Sequence, residues 1–245
     1  MLNFIITDTY EEMSALAAER IALALNKKPD LVMALPTGGT PVGLLAEMSK
    51  MAKSGAADFS CAFSFNIDEY IPLPKDDPQS YYYFLQQHFY QHANIPGENT
   101  FVPDVLAQDL NAECARYERL IQSHGDFDIT VLGIGHDGHI GFNEPQMTHS
   151  PVCHLIDLNA ETIAANARFF ASKEEVPQQA ITLGMGTILR SEEIVLIANG
   201  KSKAEVIRQL HQCTRIDPLF PASFLLMHAD VTIICDREAA SLISA

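Results

Sequence analysis

The chain has 245 residues, 47% hydrophobic and 19% charged, a composition typical of a globular protein with a sizeable core. Lys and Arg number 16 against 31 Asp and Glu, and the formal net charge of -15 excludes the basic footprint that binding to nucleic acid or to an anionic membrane requires. A small anionic ligand stays compatible with this charge, because a few local cations and backbone N–H groups suffice to bind one.

Cysteine usage and the N-terminus predict the compartment. No C-x-x-C pair occurs, so we expect reduced thiols and neither a zinc site nor a disulfide framework from Cys61, Cys114, Cys153, Cys213 and Cys235. The first residues lack the basic and apolar regions of a signal peptide, and no apolar run approaches the ~20 residues of a membrane span. A cytoplasmic protein is therefore expected.

Predicted strands and helices alternate along the chain. Strands are predicted over 4–6, 31–35, 61–67, 100–102, 129–132, 154–158, 180–183, 194–198 and 231–235. Helical patterns begin after Asp8 or Thr9, at Pro41, after Ser80, near Ala112, at Ala160 and after Lys203, and a last helix is expected after Cys235. This alternation predicts one α/β domain over 1–245: a doubly wound, mostly parallel sheet with helices on both faces, in a Rossmann-like three-layer sandwich.

The loop Pro36-Thr-Gly-Gly-Thr-Pro41, which follows the second predicted strand, can bind an anion. Gly38 and Gly39 let the backbone approach a ligand closely, Thr40 is a good N-cap, and Pro41 suits the first helical position. A helix N-terminus behind a glycine loop offers N–H groups to a phosphate. Without the lysine of a Walker A loop, a sugar phosphate fits better than ATP. A plain tight turn is the alternative.

Titratable side chains follow two further strands. Asp68 and Glu69 end the third strand, and the loop after 129–132 carries Asp137, His139 and Glu144. Because parallel strands place their carboxyl ends on one edge of a sheet, these loops and the glycine loop are expected to converge. Such a set of groups suits proton transfer on a phosphorylated small molecule without an organic cofactor. For Asp68 and Glu69 alone, a helix cap or a solvated turn is an equal alternative.

Two cations are candidates to complete a phosphate site. Arg168 lies in a predicted helical stretch, and Lys203 follows a glycine at the end of a late strand. Each residue taken singly is more often a surface cation than a ligand.

The segment 133–138 also matches the G-x-G-x-x-G fingerprint of dinucleotide sites, and Asp157 follows at about the required spacing. That fingerprint must open a helix, but the glycine, asparagine and proline residues up to Pro145 make a poor one. Asp137 and Glu144 would also present negative charge to a diphosphate. A nucleotide site is therefore the weaker interpretation.

A metal site is a second alternative at this loop. His136 and His139, with Asp137 and Glu144, could supply ligands in principle. They lie in a glycine-rich loop, however, without the i, i+4 spacing of a helix, and no cysteine joins them. A Ser/His/Asp triad lacks its G-x-S-x-G elbow. We expect neither a metal nor an organic cofactor.

Six longer motifs occur in order along nearly the whole chain. They are Leu35-Pro-Thr-Gly-Gly-Thr-Pro41, Phe65-Asn-Ile-Asp-Glu-Tyr70, Gly133-x-Gly-x-Asp-Gly-His-Ile-x-Phe-Asn-Glu-Pro145, Asn166-Ala-Arg-Phe-Phe170, Ala180-Ile-Thr-Leu-Gly-Met-Gly186 and Gly200-Lys-Ser-Lys203. In these motifs the chain resembles the glucosamine-6-phosphate deaminases. Several long motifs in the right order are far more specific than any one of them.

This resemblance implies a reaction and a role for each site residue. Deaminases of this kind convert glucosamine 6-phosphate and water to fructose 6-phosphate and ammonium in amino-sugar catabolism. By the matching motifs, Asp68 would move a proton from C2 to C1 of the sugar, and His139, held by Asp137 and Glu144, would open the pyranose ring. The phosphate would be bound by Gly38, Gly39, Thr40, Arg168 and Lys203.

Two other functions share this type of fold. The 6-phosphogluconolactonases resemble the chain in the glycine loop, but carry Asp-Glu-Arg in place of 68–70 and Ser-Leu-Phe-Pro in place of 142–145. Glu144 has a role in ring opening and no obvious one in lactone hydrolysis, which favours the deaminase. A non-catalytic sugar-phosphate-binding module of a transcriptional regulator would need a DNA-binding segment, and none precedes Phe4.

The chain departs from the best-known deaminases in two respects. His136 stands where Asn is expected. Allosteric hexameric members also carry basic residues after the Asn-Glu-Pro motif, whereas 146–156 contains no Lys or Arg here, and the chain ends soon after Cys235. We therefore expect an enzyme without that allosteric site, a monomer or a weak homo-oligomer.

Overall fold

The computed structural model describes residues 2–243 and contains two β-sheets. The strands are β1 (Asn3–Thr7), β2 (Val32–Leu35), β3 (Phe63–Asn66), β4 (Asp68–Ile71), β5 (Thr100–Phe101), β6 (Ile129–Leu132), β7 (His154–Asp157), β8 (Gln179–Thr182), β9 (Glu193–Ala198) and β10 (Val231–Asp236). The helices are α1 (Tyr10–Lys27), α2 (Pro41–Ser54), α3 (Tyr81–His88), α4 (Leu110–Ser123), α5 (Ala160–Asn166), α6 (Met185–Leu189) and α7 (Ala204–Gln212).

The larger sheet has seven strands, and all of its pairs are parallel. Their order is β1-β10-β9-β6-β2-β3-β5. Strands β2 and β6 are neighbours, and the chain proceeds from them in opposite directions, to β3 on one side and to β9 on the other. This is a topological switch point, which opens a crevice at the carboxyl ends of β2 and β6.

Side-chain alternation along β2 shows why helices cover both faces of this sheet. Val32 and Ala34 pack into a cluster with residues of α4 and α7, whereas Met33 and Leu35 pack into a second cluster with residues of α1 and α2. Successive residues of a strand point to opposite faces of the sheet. All four side chains are buried because helices cover both of these faces. The predicted three-layer α/β fold is confirmed. Since β1 and β10 are also neighbours in this sheet, we propose that 1–245 is one domain.

Local sequence determines where several helices begin. The side chain of Thr9 accepts the backbone N–H of Glu12, and that of Ser80 accepts the N–H of Tyr83, so both residues cap their helices as predicted. No helix within residues 2–243 has the length and apolar character needed to cross a membrane.

The predicted third strand was wrong in its extent. The backbone of β3 stops at Asn66, and a separate strand, β4, begins at Asp68. Strand β4 pairs antiparallel with β8, and β8 pairs antiparallel with β7, in a small sheet of order β4-β8-β7. The alternation of predicted strands and helices along the chain could not show that β7 and β8 belong to a second sheet.

The helix expected after Cys235 was also wrong over the described residues. Asp236 ends β10, and residues 237–242 form turns. The Asp236 carboxylate accepts the N–H of Ala239, and its carbonyl accepts the N–H of Ala240. These local bonds close a single turn at the end of the strand, and residues 244 and 245 lie outside the description.

Candidate active site

A cleft of about 260 Å³ lies at the carboxyl edge of the large sheet, at the switch point between β2 and β6. Its walls contain eight of the nine predicted site residues, namely Gly38, Gly39, Thr40, Asp68, Asp137, His139, Arg168 and Lys203. The ninth, Glu144, is buried next to the cleft and is not part of its wall. The loops that the sequence placed on one edge therefore do converge.

Asp68 is the first residue of β4 and contributes a carboxylate to the cleft. Only 8% of the residue is exposed, and no donor among residues 2–243 hydrogen-bonds its carboxylate. Burial, and to a smaller extent the nearby Glu69 carboxylate, raises the pKa of Asp68 to about 8. Such a carboxyl group can both accept and return a proton near neutral pH.

Glu69 has a different environment, because neighbouring strand residues point to opposite sides. Its carboxylate accepts the backbone N–H groups of Tyr70, Tyr81 and Tyr82 at 3.0, 2.8 and 2.9 Å. The last two belong to the first turn of α3, whose N–H groups have no partner within the helix. Burial raises the pKa of Glu69 to about 7 against these bonds. Glu69 therefore anchors a helix, and it does not line the cleft.

A tight turn over 135–138 positions the Asp137–His139 pair. The N–H of Gly138 donates to the carbonyl of Gly135 at 3.2 Å, and the N–H of Gly135 donates to the carbonyl of His139 at 2.9 Å. Asp137 Oδ1 lies 2.7 Å from His139 Nδ1 and accepts the His139 N–H at 3.1 Å. Burial opposes ionisation of Asp137, but these contacts outweigh it and lower its pKa to about 2. The carboxylate thus fixes the orientation of the imidazole.

Packing explains two glycines of the G-x-G-x-x-G match. A Cβ on Gly135 would lie 2.3 Å from the His139 ring, and one on Gly138, whose φ is +87°, would lie 2.2 Å from the Phe220 ring. The chain then forms an isolated β-bridge between Ile140 and Asn143. The loop therefore lacks the helix that a dinucleotide fingerprint requires, in agreement with the interpretation from sequence.

Glu144 links the central loop to α5. Its Oε2 accepts the backbone N–H of Asn159 at 3.0 Å, and Asn159 is the N-cap of α5. Burial raises the pKa of Glu144, while the Thr162 hydroxyl and the Asn159 N–H act against this shift. The resemblance implied that Glu144 would hold His139, but no hydrogen bond or ion pair joins the two among the described residues. Their interaction is electrostatic: the positive charge of His139 acts to lower the pKa of Glu144.

The glycine loop after β2 also forms part of the cleft wall. Gly38 has φ +98°, which favours glycine. Thr40 was expected to cap α2 with its side chain, but its backbone is helical and its hydroxyl donates to Asn199 Oδ1 at 2.7 Å, so that prediction was wrong. The Tyr10 hydroxyl takes the capping role instead: it accepts the N–H of Gly43 at 2.7 Å and donates to the Thr40 carbonyl at 3.0 Å.

Two cations from separate elements also line the cleft. Lys203 follows β9, and its Nζ donates to the Ile134 carbonyl at 2.7 Å. Burial lowers the pKa of Lys203 to about 8, with the positive charge of Arg168 acting in the same direction. Arg168 lies in the 3₁₀ turn Ala167–Phe169, with its guanidinium carbon 4.7 Å from the Phe169 ring centroid. Both side chains line the cleft.

Sequence reasoning did not assign cleft residues among the aromatics. The Tyr70 ring lies 4.7 Å from Tyr81, 5.6 Å from Phe142 and 5.8 Å from Phe170, between centroids, and all four residues line the cleft. A helix was predicted after Ser80, and its first residue, Tyr81, borders the site, whereas Leu85 of the same helix is buried in the core. The positions of Tyr70, Phe142 and Phe170 inside the long motifs were the available signal.

Within the described range 2–243, no group of three or more His, Cys, Asp or Glu side chains is arranged to hold a metal ion.

Comparison with known proteins identifies the family. A family model described as glucosamine-6-phosphate isomerases/6-phosphogluconolactonase matches residues 7–234. A glucosamine-6-phosphate deaminase of Thermoanaerobacter pseudethanolicus is 48% identical over 242 residues, which cover 99% of this chain and 95% of that protein. A glucosamine-6-phosphate deaminase of Halothermothrix orenii is 45% identical over 245 residues, covering 99% of this chain and 100% of the relative.

Solved structures agree with this assignment. The structure of a monomeric glucosamine-6-phosphate deaminase superposes with a TM-score of 0.96 at 45% identity, covering 98% of this chain and 100% of the other. A 6-phosphogluconolactonase from Leishmania guyanensis superposes with a TM-score of 0.77 at 21% identity, with 100% of both chains covered, and shares the fold alone. The chain belongs to the family of glucosamine-6-phosphate isomerases and 6-phosphogluconolactonases.

Proposed function

We propose that the chain is a glucosamine-6-phosphate deaminase, which converts glucosamine 6-phosphate and water to fructose 6-phosphate and ammonium. The observation that carries this proposal is the position of Asp68. It is a buried carboxylate with a raised pKa in a cleft that is also lined by a glycine loop and two cations. The full-length relatives at 45–48% identity are deaminases, which supports the same activity.

Ring opening begins the reaction. The His139 imidazole takes the proton of the C1 hydroxyl and delivers one to the ring oxygen, so that the C1–O5 bond breaks and the open-chain aldehyde forms. Asp137, 2.7 Å from Nδ1, leaves the other ring nitrogen for this exchange. Glu144 acts on the imidazole at a distance through its charge. A positioned acid–base group of this kind contributes roughly 10²–10⁴ in rate.

Isomerisation and deamination follow. Asp68 takes the proton from C2 and returns it at C1, and one proton of the C2 ammonium group passes to O1, so that the 2-ammonio aldehyde becomes an iminium ion at C2. Water then adds to C2, and the C2–N bond breaks to release ammonium and fructose 6-phosphate. The burial of Asp68 supports this role, because a carboxylate at its ordinary pKa would be a weaker base.

The phosphate is bound at the other end of the cleft. Backbone N–H groups around Gly38 and Gly39 and the start of α2 offer donors, and Arg168 and Lys203 add positive charge. Anchoring the phosphate there places the sugar carbons toward Asp68 and His139.

The enzyme acts as a cytoplasmic monomer or weak homo-oligomer without allosteric activation. The superposed deaminase structure is of a monomeric enzyme, and the segment 146–156 carries no Lys or Arg. Light scattering behind size-exclusion chromatography would give one subunit mass of 27.0 kDa. Sigmoidal kinetics with activation by N-acetylglucosamine 6-phosphate would contradict this part of the proposal.

The activity is tested by ammonium release from glucosamine 6-phosphate, with fructose 6-phosphate followed in parallel and a chelator present. We expect one ammonium for each fructose 6-phosphate. If neither product forms, hydrolysis of 6-phosphogluconolactone becomes the next assay. If both assays fail while sugar phosphates raise the melting temperature, the protein is a binding module.

A further inference from the structure

His136 lines the cleft but has no role in the mechanism proposed for the reaction. It is the second residue of the 135–138 turn. The residue after it, Asp137, turns its carboxylate back onto His139. The His136 imidazole, in contrast, makes no hydrogen bond to any of the described residues. A ring at the wall of a ligand site with both nitrogens unused is able to bind the ligand.

Several charged groups of the cleft act on His136. Lys203 bonds the carbonyl of Ile134, two residues before His136. Burial lowers the pKa of the imidazole, and the positive charges of Lys203, His139 and Arg168 lower it further, while Glu161 of α5 acts in the opposite direction. The neutral form of the ring is therefore favoured in the free enzyme.

A bound phosphate reverses this balance. A dianion held by Arg168 and Lys203 cancels their charge and places negative charge near the ring, which favours the imidazolium form. We propose, on the basis of the proposed function, that His136 is a third contact for the substrate phosphate and takes up a proton when the phosphate binds. His136 is thus a binding residue, and it takes no part in the proton transfers on the sugar.

The pH dependence of binding follows from the two forms of the ring. On this proposal, the pKa of His136 is higher in the complex than in the free protein. Between these two pKa values, the affinity for phosphate increases as the pH falls. Below pH ~6 the phosphate itself gains a proton, and the benefit ends. Arginine at position 136 would keep its charge at every pH, whereas asparagine would never have one.

Calorimetry in two buffers measures the number of protons that the protein takes up when it binds phosphate. Inorganic phosphate and fructose 6-phosphate are titrated at pH 7 in two buffers of different ionisation heat, into wild type, His136→Asn and His136→Arg. Lys203, with a pKa of about 8, is mostly protonated at pH 7, so it contributes little to the uptake. His92→Asn serves as the matched control, since His92 is an exposed histidine outside the cleft.

We expect wild type and His92→Asn to take up more protons on binding phosphate than His136→Asn and His136→Arg do. At pH 6.5, His136→Asn should raise KM for glucosamine 6-phosphate about three- to tenfold, as for one charge-assisted hydrogen bond, with kcat within about twofold. At pH 8.5 this difference should shrink, and His136→Arg should bind at least as tightly as wild type.

Equal proton uptake by wild type and His136→Asn would overturn the inference, as would a loss confined to kcat. A merely structural role for His136 would change stability without changing the number of protons bound. If wild type releases no ammonium but shows the difference in proton uptake with inorganic phosphate, the proposed reaction fails while the phosphate contact stands.

Discussion

The proposed carboxylate end of the site (Asp68 and Glu144) and its proposed phosphate end (Gly38, Gly39, Arg168 and Lys203) differ in how they are built. At the carboxylate end, Asp68 and Glu144 are 8% and 5% exposed and sit on or beside buried strands, and burial raises the pKa of both. At the phosphate end, Gly38 and Gly39 offer backbone, and Arg168 and Lys203 reach in from separate turns. The carboxylate end depends on how its surroundings change the pKa of its carboxyl groups. The phosphate end depends on the number of hydrogen-bond donors and positive charges that can contact the phosphate.

This difference predicts which kinetic constant each end controls. Groups that act on the proton being transferred stabilise the transition state, so their loss should appear in kcat. Groups that hold the phosphate bind ground state and transition state about equally, so their loss should appear mainly in KM. The variants below test this division, from the largest expected effect to the smallest.

Asp68→Asn removes the proposed base and keeps the shape of the side chain. We expect kcat for ammonium release to fall by about 10²–10⁴, with KM little changed, because an amide cannot take the C2 proton. Exchange of the C2 hydrogen with deuterated solvent, followed by NMR, should be lost in parallel. A variant that keeps exchange at the wild-type rate would assign the base elsewhere.

Lys203→Ala removes a cation from the phosphate end. We expect KM for glucosamine 6-phosphate to rise by about 10–100-fold, the cost of one hydrogen bond to a charged group, with a smaller change in kcat. Lys201→Ala is the matched control, because Lys201 lies in the same 3₁₀ turn but is exposed and does not line the cleft. Equal effects of the two substitutions would contradict a phosphate contact specific to Lys203.

Much of this arrangement could be predicted from the sequence, for identifiable reasons. Alternating strands and helices fix which loops share an edge, and the glycines mark the loop after β2. Asp68, Asp137 and His139 could therefore be placed in one cleft before any contact was known. These predictions depend on local pattern and on the geometry of parallel sheets, which does not require knowledge of individual side-chain partners.

The missed features all depend on partners distant in the chain. Thr40 does not cap α2 because Tyr10 and Asn199, 30 and 159 residues away, provide the partners of that turn. Asp68 and Glu69 are neighbours of the same type, and only the position of α3 shows that one faces the cleft and the other a helix. Local sequence patterns do not predict hydrogen bonds between residues that are distant in the chain.

The pH profile of kcat/KM tests both ends together. Asp68 must be ionised to act as a base, so activity should rise with pH through its pKa of about 8. Lys203 must be protonated to bind phosphate, so activity should fall as the pH passes its pKa, also about 8. We expect a narrow maximum near pH 8 in wild type. Lys203→Arg should remove the alkaline limb and leave the acid limb, since arginine stays charged.

The smallest effect concerns Glu69, which should affect stability more than catalysis. Glu69→Ala leaves the N–H groups of Tyr70, Tyr81 and Tyr82 without their acceptor, and we expect it to lower the free energy of unfolding by about 1–3 kcal/mol at pH 5. Urea unfolding measures this change. Ser80→Ala, which removes the N-cap of the same helix, is the control and should cost about 1 kcal/mol at any pH.

The cost of Glu69→Ala should shrink as the pH rises. The pKa of Glu69 is about 7 in the folded protein, above its ordinary value of 4.5, so the folded state holds a proton that the unfolded state releases between these values. Wild type therefore loses stability as the pH passes from 4.5 to 7, and the variant, with no carboxyl group there, does not. The two stabilities should approach each other by pH 8. A gap that widens instead would mean that the three N–H groups hold the charged form more strongly than burial opposes it.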